Sequence, residues 1–541
     1  MKVTFRRPGE PPVTIECCAG ENLLELARKA GVPLDAPCSG GGTCGKCRVR
    51  LLEGHVDSVP SRHISTEDRE NGWVLACKST VTGDCTILVL DSAYAWQSDI
   101  QTADISVEEI QAAEASRIAC AIDIGTTTVS AVLVDPETGK LLAKASRGNG
   151  QIRYGADVIN RIIQQSRPGG IERLRSAIIQ ETLVPLLQKL CDQAHVSPDC
   201  ISRISVAANT TMNHLLLGVD ANPIRMEPYE PVFLSKKGLK AGDLALPVNP
   251  DADVILAPNV GSWVGGDITA GILSTDIWEK DEMSLFIDLG TNGEIVLGNR
   301  EFLMTCACSA GPAFEGGDIS CGMRATVGAV EAVTIDEDTM EPALKIIGGG
   351  TCAGICGSGI IDFVAELFRC GIINQKGRVV RKGPRILTDT HGCSRYVLAT
   401  AEESATGREV SIDEVDIDSF IRAKAAIYSG IDTLLQAVDM TPDCIERVLV
   451  AGGIGSGINM KNAVSIGMLP NSGLEKYRYV GNTALRGACA LAISSEAEAQ
   501  CDEVAANMTY MELSTCPGYM DSFVAACFLP HTDRKLFSDI M

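Results

Sequence analysis

One short pattern occurs twice in the chain, and this repeat restricts the possible folds more than any other feature of the sequence. An apolar strand segment ends in Asp-x-Gly-Thr at Asp123–Thr126 and again at Asp288–Thr291. Each copy leads into a second apolar segment, Val129–Val134 and Glu294–Leu297. The two aspartates are 165 residues apart, which is the size of a domain and well beyond the roughly 20–50 residues of a solenoid repeat. The repeat therefore predicts two related α/β halves that face each other.

The repeated turn has the chemistry of a phosphate site. Gly and Thr in a tight turn expose backbone N–H groups and hydroxyls to polyphosphate oxygens, and an Asp at the end of the preceding strand can hold Mg²⁺ through its water ligands. We therefore predict Asp123 and Asp288 as catalytic residues. A Gly-rich turn at Gly452–Gly457 supports this interpretation, although without the two Asp turns it would be an ordinary tight turn. The predicted polyphosphate- and nucleotide-binding residues are Gly125, Thr126, Thr127, Thr128, Gly290, Thr291, Asn292, Gly452, Gly453, Gly455 and Ser456.

Four cysteines in the N-terminal region have the spacing of an iron–sulfur site. Cys38, Cys44, Cys47 and Cys77 are separated by 5, 2 and 29 residues. Three of them lie in one Gly-rich loop, which can wrap a cluster with its N–H groups toward the sulfides. The spacing resembles the ferredoxin C-x₄-C-x₂-C…C pattern with one extra residue in the first gap, as in the adrenodoxin-like branch, and it favours a [2Fe–2S] cluster. The alternatives are unrelated thiols or a Cys₄ zinc site, but a zinc ribbon has two C-x₂-C pairs and this region has one.

The chain divides into three parts. Strand-like runs at Val3–Phe5 and Val13–Ile15 and a helical segment at Asn22–Ala30 indicate a compact α+β domain over residues 1–92. Residues 93–116 are polar and acidic, as is typical of a linker. Strands and helices alternate over residues 117–541, which predicts an α/β domain of two lobes.

Composition and charge exclude several function classes. Apolar residues make up 45% of the 541 residues, which is enough for the chain to form buried hydrophobic cores. The net charge of −22 opposes binding to nucleic acid. No apolar run approaches the roughly 18–20 residues of a membrane helix, and Met1–Pro12 does not read as a signal peptide. With 22 cysteines, about 4% of the chain, we expect a cytoplasmic protein with metal or redox chemistry.

The motifs together resemble a known family. Asp123–Thr128, Asp288–Asn292 and Gly452–Gly457 match the phosphate 1, phosphate 2 and adenosine motifs of the acetate kinase, sugar kinase, Hsp70 and actin superfamily. With a ferredoxin-like (β-grasp) domain in front of an actin-like (ASKHA) ATPase domain, the chain resembles the reductive activators of corrinoid proteins, which are ATP-dependent activases of cobalamin-dependent methyltransferase systems. Because the linker runs directly into the phosphate 1 strand, we expect no room for the extra middle domain that some relatives carry.

Further segments also resemble this family, and more than one role is consistent with some of their residues. The segments are Tyr154–Arg161, Asn209–His214, Gly265–Gly271, Ser309–Gly316 and Gly354–Asp362. Glu315 is expected to be catalytic by orienting a water or contacting Mg²⁺, with a solvated loop acid as the alternative. Asp157 and Arg161 form either an exposed i,i+4 pair or part of a nucleotide site or interface. His214, among leucines, is expected to be packed, and Cys352 and Cys356 are expected to be structural.

The resemblance implies a function. It implies reduction of an inactive Co(II) corrinoid protein to Co(I), with the electron from the [2Fe–2S] cluster, ATP with Mg²⁺ driving the uphill step, and a low-potential donor resupplying the electron. The sequence leaves open whether the chain forms a homodimer. Rival interpretations are an activase of 2-hydroxyacyl-CoA dehydratase type, whose family has no ferredoxin domain, a redox-sensing ATP-binding protein, and a small-molecule kinase.

Overall fold

The computed structural model describes most of the chain. The described residues are 1–32, 34, 36, 38, 40–42, 44–61, 63–64, 66–89, 117–315, 319–389, 392–453 and 457–538, without the side chains of residues 67, 312 and 315. The predicted linker at 93–116 lies outside them. Within these ranges, no helix combines the length and the apolar character needed to cross a bilayer.

The described part of residues 1–89 forms the head, a mixed sheet with the helix α1 packed on it and a second, shorter helix α2. Strand β1 pairs antiparallel with β2 and parallel with β5, which confirms the predicted N-terminal hairpin. The helix α1 begins at Asn22, whose side chain accepts from the backbone N–H of Leu24 at 3.0 Å, and its Leu23, Leu24 and Leu26 are buried against the sheet. The order of the strands in the sheet is β2-β1-β5-β3-β4. Along the chain, the elements of the head are β1 (Lys2–Arg6), β2 (Val13–Glu16), α1 (Leu23–Lys29), β3 (Arg48–Ser58), α2 (Thr66–Glu70), β4 (Trp73–Leu75) and β5 (Ser79–Leu88).

Residues 117–280 form lobe one. Its central strand β6 pairs antiparallel with β7 and parallel with β9, and its strands are apolar on both faces because helices cover both sides of the sheet. The order of the strands in this sheet is β10-β11-β9-β6-β7-β8. Along the chain they are β6 (Ile118–Ile124), β7 (Thr128–Val134), β8 (Leu141–Gly148), β9 (Ile201–Ala208), β10 (Leu239–Lys240) and β11 (Asp253–Leu256). The helices are α3 (Val158–Gln165), α4 (Gly170–Ile178), α5 (Val184–Ala194), α6 (Thr210–Leu217), α7 (Asn222–Arg225) and α8 (Gly266–Leu273).

Residues 281–538 form lobe two, whose main sheet has the order β22-β21-β12-β13-β14-β23. The strands of this sheet are β12 (Ser284–Leu289), β13 (Gly293–Gly298), β14 (Leu303–Cys308), β21 (Arg447–Ala451), β22 (Tyr477–Gly481) and β23 (Met508–Tyr510). Two small sheets contain β15 (Ala329–Ile335), β16 (Pro342–Ile346), β17 (Gly354–Ile355), β18 (Ile386–Thr388), β19 (Ser394–Ala399) and β20 (Val410–Asp413). The helices are α9 (Gly357–Arg369), α10 (Glu414–Ala437), α11 (Met460–Ser465), α12 (Thr483–Ile493), α13 (Ser495–Asn507) and α14 (Tyr519–Ala526).

The two lobes repeat one arrangement of strands. In lobe one β9, β6, β7 and β8 are neighbours in that order, and in lobe two β21, β12, β13 and β14 are neighbours in the same order. In each lobe the first pair is parallel and the others are antiparallel. The predicted pair of related α/β halves is therefore confirmed.

Helices α8 and α12 lie between the lobes. A Cβ at Gly487 of α12 would lie only 1.9 Å from the carbonyl oxygen of Ala270 in α8, so only glycine permits this crossing. Although α12 is late in the sequence, it packs on the sheet of lobe one, where the Ser205 hydroxyl donates to the carbonyl oxygen of Ala488 at 2.5 Å. Residues of α8 also pack on the sheet of lobe two. The lobes are therefore joined through a shared layer of helices.

The head contacts both lobes. On lobe one, the Arg28 guanidinium donates to the carbonyl oxygen of Arg153 at 2.8 Å. On lobe two, the Lys46 ammonium donates to the carbonyl oxygen of Gly322 at 2.9 Å. Further contacts are an ion pair of Glu25 with Arg167 at 3.4 Å and the Arg408 guanidinium lying 5.1 Å from the ring centre of Trp73.

Candidate functional site

The phosphate 1 turn follows β6 and is held from two sides. The Gly125 N–H donates to the carbonyl oxygen of Thr128 at 3.0 Å, which closes the turn. The Asn149 amide donates to the Gly125 carbonyl oxygen at 2.9 Å, and the Asn209 amide donates to the Thr126 hydroxyl at 3.1 Å. The turn is therefore fixed by neighbouring side chains, which leaves Thr127 and Thr128 partly exposed at its open side.

Arg161 supports the same turn from beneath. It is fully buried, and its guanidinium donates to the carbonyl oxygen of Thr126, to that of Gly155 at 2.9 Å and to the Gln151 amide oxygen at 3.1 Å. Asp157 instead begins α3, accepting from the Asn160 N–H at 2.7 Å. The interpretation of Asp157 and Arg161 as an exposed pair is therefore wrong, because spacing gives the helical face but not its burial.

The phosphate 2 turn meets the phosphate 1 turn across the lobes. The Gly290 N–H donates to the carbonyl oxygen of Asn292 at 3.0 Å, so this turn is closed one residue more tightly than the first. The hydroxyls of Thr127 and Thr291 lie 3.4 Å apart although they are 164 residues apart in sequence. The structure thus brings the two predicted turns together, with their threonine hydroxyls facing each other.

Gly452, at the start of the predicted adenosine turn, lies directly against Asp288. Its φ of +93° is in the left-handed region, and a Cβ there would lie 2.6 Å from the Asp288 carboxylate oxygen and 2.3 Å from the carbonyl oxygen of Leu289. Any larger side chain at this position would displace Asp288. Gly453 is exposed beside it, and Gly455 and Ser456 lie outside the described residues.

The far side of the adenosine turn faces the start of α9. A Cβ at Gly457 would lie 2.8 Å from the Ser358 hydroxyl. One turn further along α9, the Asp362 carboxylate accepts from the Asn462 amide at 2.8 Å, which links α9 to α11. The segment Gly354–Asp362 therefore belongs to the wall of the site.

Four carboxyl groups converge at the two turns. Asp123 and Asp288 are joined by Asp267, at the start of α8, and by the buried Glu294 of β13. Burial raises the pKa of Asp123 to about 6 and those of Asp267 and Asp288 to about 7, and the neighbouring carboxylates add to the last two. The pKa of Glu294 is raised for the same reasons. Asp267 and Glu294 have no role predicted from the sequence, because their grouping depends on the meeting of the lobes.

The group is open to a cation held through water. The Asp123 carboxylate accepts from the Asn482 amide at 2.7 Å, and Asn482 also begins α12. Across the described ranges, no three His, Cys, Asp or Glu side chains are arranged to hold one ion directly. Carboxylates that raise one another's pKa without touching suit a Mg²⁺ that keeps several of its waters. The residues present therefore fit the hydrated ion predicted from the sequence.

The four thiols of the head lie together as two pairs. The Cys44 thiol donates to the Cys38 sulfur at 3.3 Å, and the Cys47 thiol donates to Cys77, which lowers the pKa of Cys77. The two pairs are close enough for Cys38 to raise the pKa of Cys47. Two irons with two thiolates each fit this arrangement, whereas a zinc ion would need all four thiolates around one centre. The donor set therefore fits a [2Fe–2S] cluster.

Three described residues at the thiols, Cys47 and Gly45 of the thiol loop (residues 38–47) and the distant Cys77, contact the rest of the head. The Asn22 amide donates to the carbonyl oxygen of Cys77 at 2.9 Å, so the start of α1 fixes the distant fourth cysteine. The Ala76 N–H donates to the carbonyl oxygen of Cys47 at 2.9 Å. Gly45 has a φ of +68°, and a Cβ there would lie 2.6 Å from the His63 ring.

Other residues singled out in the sequence have packing roles. His214 is buried, stacks on Phe233 at 4.2 Å between ring centres, and makes a 2.7 Å hydrogen bond with the carbonyl oxygen of Thr210, as expected for a packed histidine. The Cys356 thiol donates to the carbonyl oxygen of Val330 at 3.3 Å. Glu315 ends a short 3₁₀ turn, and its side chain lies outside the described residues.

Three family models match consecutive parts of the chain. A 2Fe-2S iron-sulfur cluster binding domain matches residues 7–82, the RACo middle region matches residues 118–280, and the C-terminal domain of RACo, the ASKHA domain, matches residues 282–541. The middle-region match begins at the phosphate 1 strand and coincides with lobe one, so it does not describe an extra domain between the linker and that strand.

Individual proteins give the same result. The chain is 33% identical to "Corrinoid activation enzyme RamQ" of Eubacterium limosum, over 75% of this chain and 69% of that protein. It is 23% identical to "[Co(II) methylated amine-specific corrinoid protein] reductase" of Methanosarcina barkeri, over 68% of each. A solved structure, "Reductive activator for corrinoid,iron-sulfur protein", matches 99% of this chain and 100% of its own with a TM-score of 0.73 and 36% identity.

Proposed function

The chain belongs to the RACo family of reductive activators of corrinoid proteins, and from this premise we propose that it reduces a Co(II) corrinoid protein to Co(I) at the expense of ATP. One observation carries the proposal: a head with four paired thiols and a two-lobed domain with facing phosphate turns occur in one chain. Neither part alone accounts for an uphill electron transfer.

The ATPase part of the proposal assigns roles to the converging acids. Asp123 and Asp288 would hold a Mg²⁺ through its waters, which would neutralise phosphate charge, and Asp267 and Glu294 complete the acidic surroundings. The N–H groups and hydroxyls of the two turns bind the phosphate oxygens between the lobes. Because Thr127 and Thr291 are already within 3.4 Å of each other, the phosphates enter only when the lobes separate slightly.

The head supplies the electron in this proposal. Cys38, Cys44, Cys47 and Cys77 hold the cluster, which when bound transfers single electrons at a low potential, about −400 mV in the plant type. Two of these cysteines are held by the chain itself, because Asn22 and Ala76 donate to the carbonyl oxygens of Cys77 and Cys47. One electron passes from the head to Co(II), giving Co(I), and a low-potential donor then restores the head. We expect this in the cytoplasm, whose reducing conditions keep thiols free.

ATP offsets an unfavourable potential difference. Each 59 mV against a one-electron transfer is a factor of ten, or about 1.4 kcal/mol. A few such steps lie within what a nucleotide-dependent change of conformation can offset, provided that the two conformations bind the partner differently. In this proposal the two lobes are the element that changes.

The coupling can be tested with the corrinoid protein in two states. We expect the Co(II) form to stimulate ATP hydrolysis at least about fivefold and the methylated form to have little effect, because a ligand shifts an equilibrium only through differential affinity. Loss of the Co(II) absorbance with a low-potential donor should require ATP. Equal rates of Co(I) formation without ATP, at a donor potential where equilibrium disfavours it, would contradict the proposal.

The converging acids predict a pH dependence of stability. Burial and the neighbouring carboxylates raise the pKa of Asp267 and of Asp288 to about 7 in the fold, from an ordinary value of 3.8. The folded state therefore binds more protons between these values, so these groups favour the fold at low pH and lose that contribution as pH rises through about 7. We expect Mg²⁺ with ATP to raise the Tm by several degrees more at pH 7.5 than at pH 5, because the cation stabilises the ionised acids.

Differential scanning fluorimetry with and without Mg²⁺ and ATP measures this difference. Asp288→Asn should reduce it, and Asp281→Asn, at an exposed acid paired with Arg300, serves as the control. If Mg²⁺ and ATP raise the Tm of the wild-type protein equally at both pH values, these acids do not interact with the cation.

A further inference from the structure

Lys46 connects the thiol loop to the ATPase domain. It lies between Cys44 and Cys47, and its ammonium donates to the carbonyl oxygens of Ile319 at 3.3 Å and Gly322 at 2.9 Å. Hydrogen bonds from a charged donor are among the stronger ones in proteins. The edge of the thiol loop therefore rests on lobe two, at a segment that we call the docking loop, residues 319–322.

The docking loop is itself fixed by a buried acid. The N–H and the hydroxyl of Ser320 both donate to one carboxylate oxygen of Asp416, each at 3.0 Å. Asp416 lies in the first turn of α10 and forms a capping box with Asp413. Ile319 is buried in the core of lobe two. The docking loop that binds Lys46 is therefore held in its conformation by contacts within lobe two that do not involve Lys46.

The docking loop and the phosphate 2 turn are anchored in the same buried core. Ile319 belongs to one apolar cluster with Leu289, the last residue of β12, and Ile295 of β13. The phosphate 2 turn, residues 290–292, connects these two strands. A displacement of that turn by phosphate therefore acts on the core in which Ile319 is buried.

We propose that the docking loop holds the head in a resting position in which the edge of the thiol loop is covered, and that nucleotide binding releases this edge for the corrinoid partner. The inference rests on the proposed function and adds its regulation. Lys46 is a positioning residue here, because it acts on where the head lies. The partner and the docking loop compete for the same edge, so the electron leaves only when ATP is present.

The rate of iron removal by a small chelator, followed by the loss of visible absorbance of the holoprotein, reports whether the thiol loop is covered. We expect Lys46→Met to speed this reaction about tenfold, the effect of losing a charged hydrogen bond from the docked state. Ser320→Ala, which loosens the docking loop without changing the head, should speed it less. A non-hydrolysable ATP analogue should speed it in the wild-type protein and add little in Lys46→Met.

Lys29→Met is the matched control. Lys29 is also a lysine of the head, but it is exposed and its ammonium pairs with Glu21 at 3.1 Å within the head. It should react at the wild-type rate. Equal rates for Lys46→Met and wild type, or equal acceleration by Lys46→Met and Lys29→Met, would overturn the docking. Acceleration by Lys46→Met and Ser320→Ala without any effect of the analogue would overturn release by nucleotide.

The assay needs no corrinoid protein, so its outcome is independent of the proposed function. If cobalt reduction fails while the chelator rates follow the expected order, the activase proposal is wrong and the docking stands. If cobalt is reduced with ATP and the chelator rates are all equal, the docking is wrong and the activase proposal stands.

Discussion

Asp288→Asn is expected to slow ATP hydrolysis at least about 100-fold, equivalent to about 2.7 kcal/mol or more of transition-state stabilisation, with the cluster spectrum unchanged. The amide keeps the shape of the side chain and its place against Gly452, so the loss isolates the negative charge. Asp123→Asn should have a comparable effect, because its carboxylate faces the same cleft from the other lobe. Steady-state phosphate release measures both.

Asp281→Asn is the control for this pair of variants. Asp281 is in lobe two like Asp288, but it is exposed and pairs with Arg300 at 2.6 Å. Its hydrolysis rate should equal that of the wild-type protein. Full ATPase activity of Asp288→Asn would mean that the phosphate site has been assigned to the wrong turns.

Cys44→Ala is expected to abolish cluster binding, and with it all reduction of cobalt. The wild-type protein should be brown, with about two irons and two sulfides per chain, because four thiolates satisfy one [2Fe–2S] cluster. Removing Cys44 leaves Cys38 without the sulfur 3.3 Å away, so one of the two thiol pairs is lost. Iron analysis and the visible spectrum after anaerobic purification measure the result.

Two other cysteines provide controls for this variant. Cys85 is buried in the core of the head, and Cys489 packs between the lobes, so neither contributes to the thiol pairs. Cys85→Ala and Cys489→Ala should both retain iron. Zinc in place of iron in the wild-type protein, or a normal cluster in Cys44→Ala, would contradict the assignment.

Local patterns in the sequence were enough to predict much of the fold and part of the site. The hairpin, α1 and the two Asp turns depend on residues adjacent in the chain, and all were predicted at the correct positions. The repeated Asp-x-Gly-Thr also predicted the matching sheets, because a strand, a turn and a second strand form one compact unit. The spacing of the four cysteines singled them out as a set, but their arrangement in two pairs became visible only in the fold, because Cys77 is distant in the chain.

The missed residues depend on packing between distant segments. Asp267 lies in the family-like segment Gly265–Gly271, which was a signal for it, whereas Glu294 is recognisable only when α8 and β13 are brought to the same cleft. Arg161 has the spacing of a surface ion pair, and its burial beneath Thr126 is decided by β6 and α6 packing around it. Lys46 was overlooked because its acceptors are backbone carbonyls, which carry no signal in the sequence.

Because the head contacts both lobes, its position depends on the angle between them. If the lobes rotate relative to each other about the helices between them, a head that moves as one body cannot keep its contacts with both. Arg28 on Arg153 and Lys46 on Gly322 are two such contacts. A probe on the head would therefore read the opening of the cleft from outside, with no label near the nucleotide.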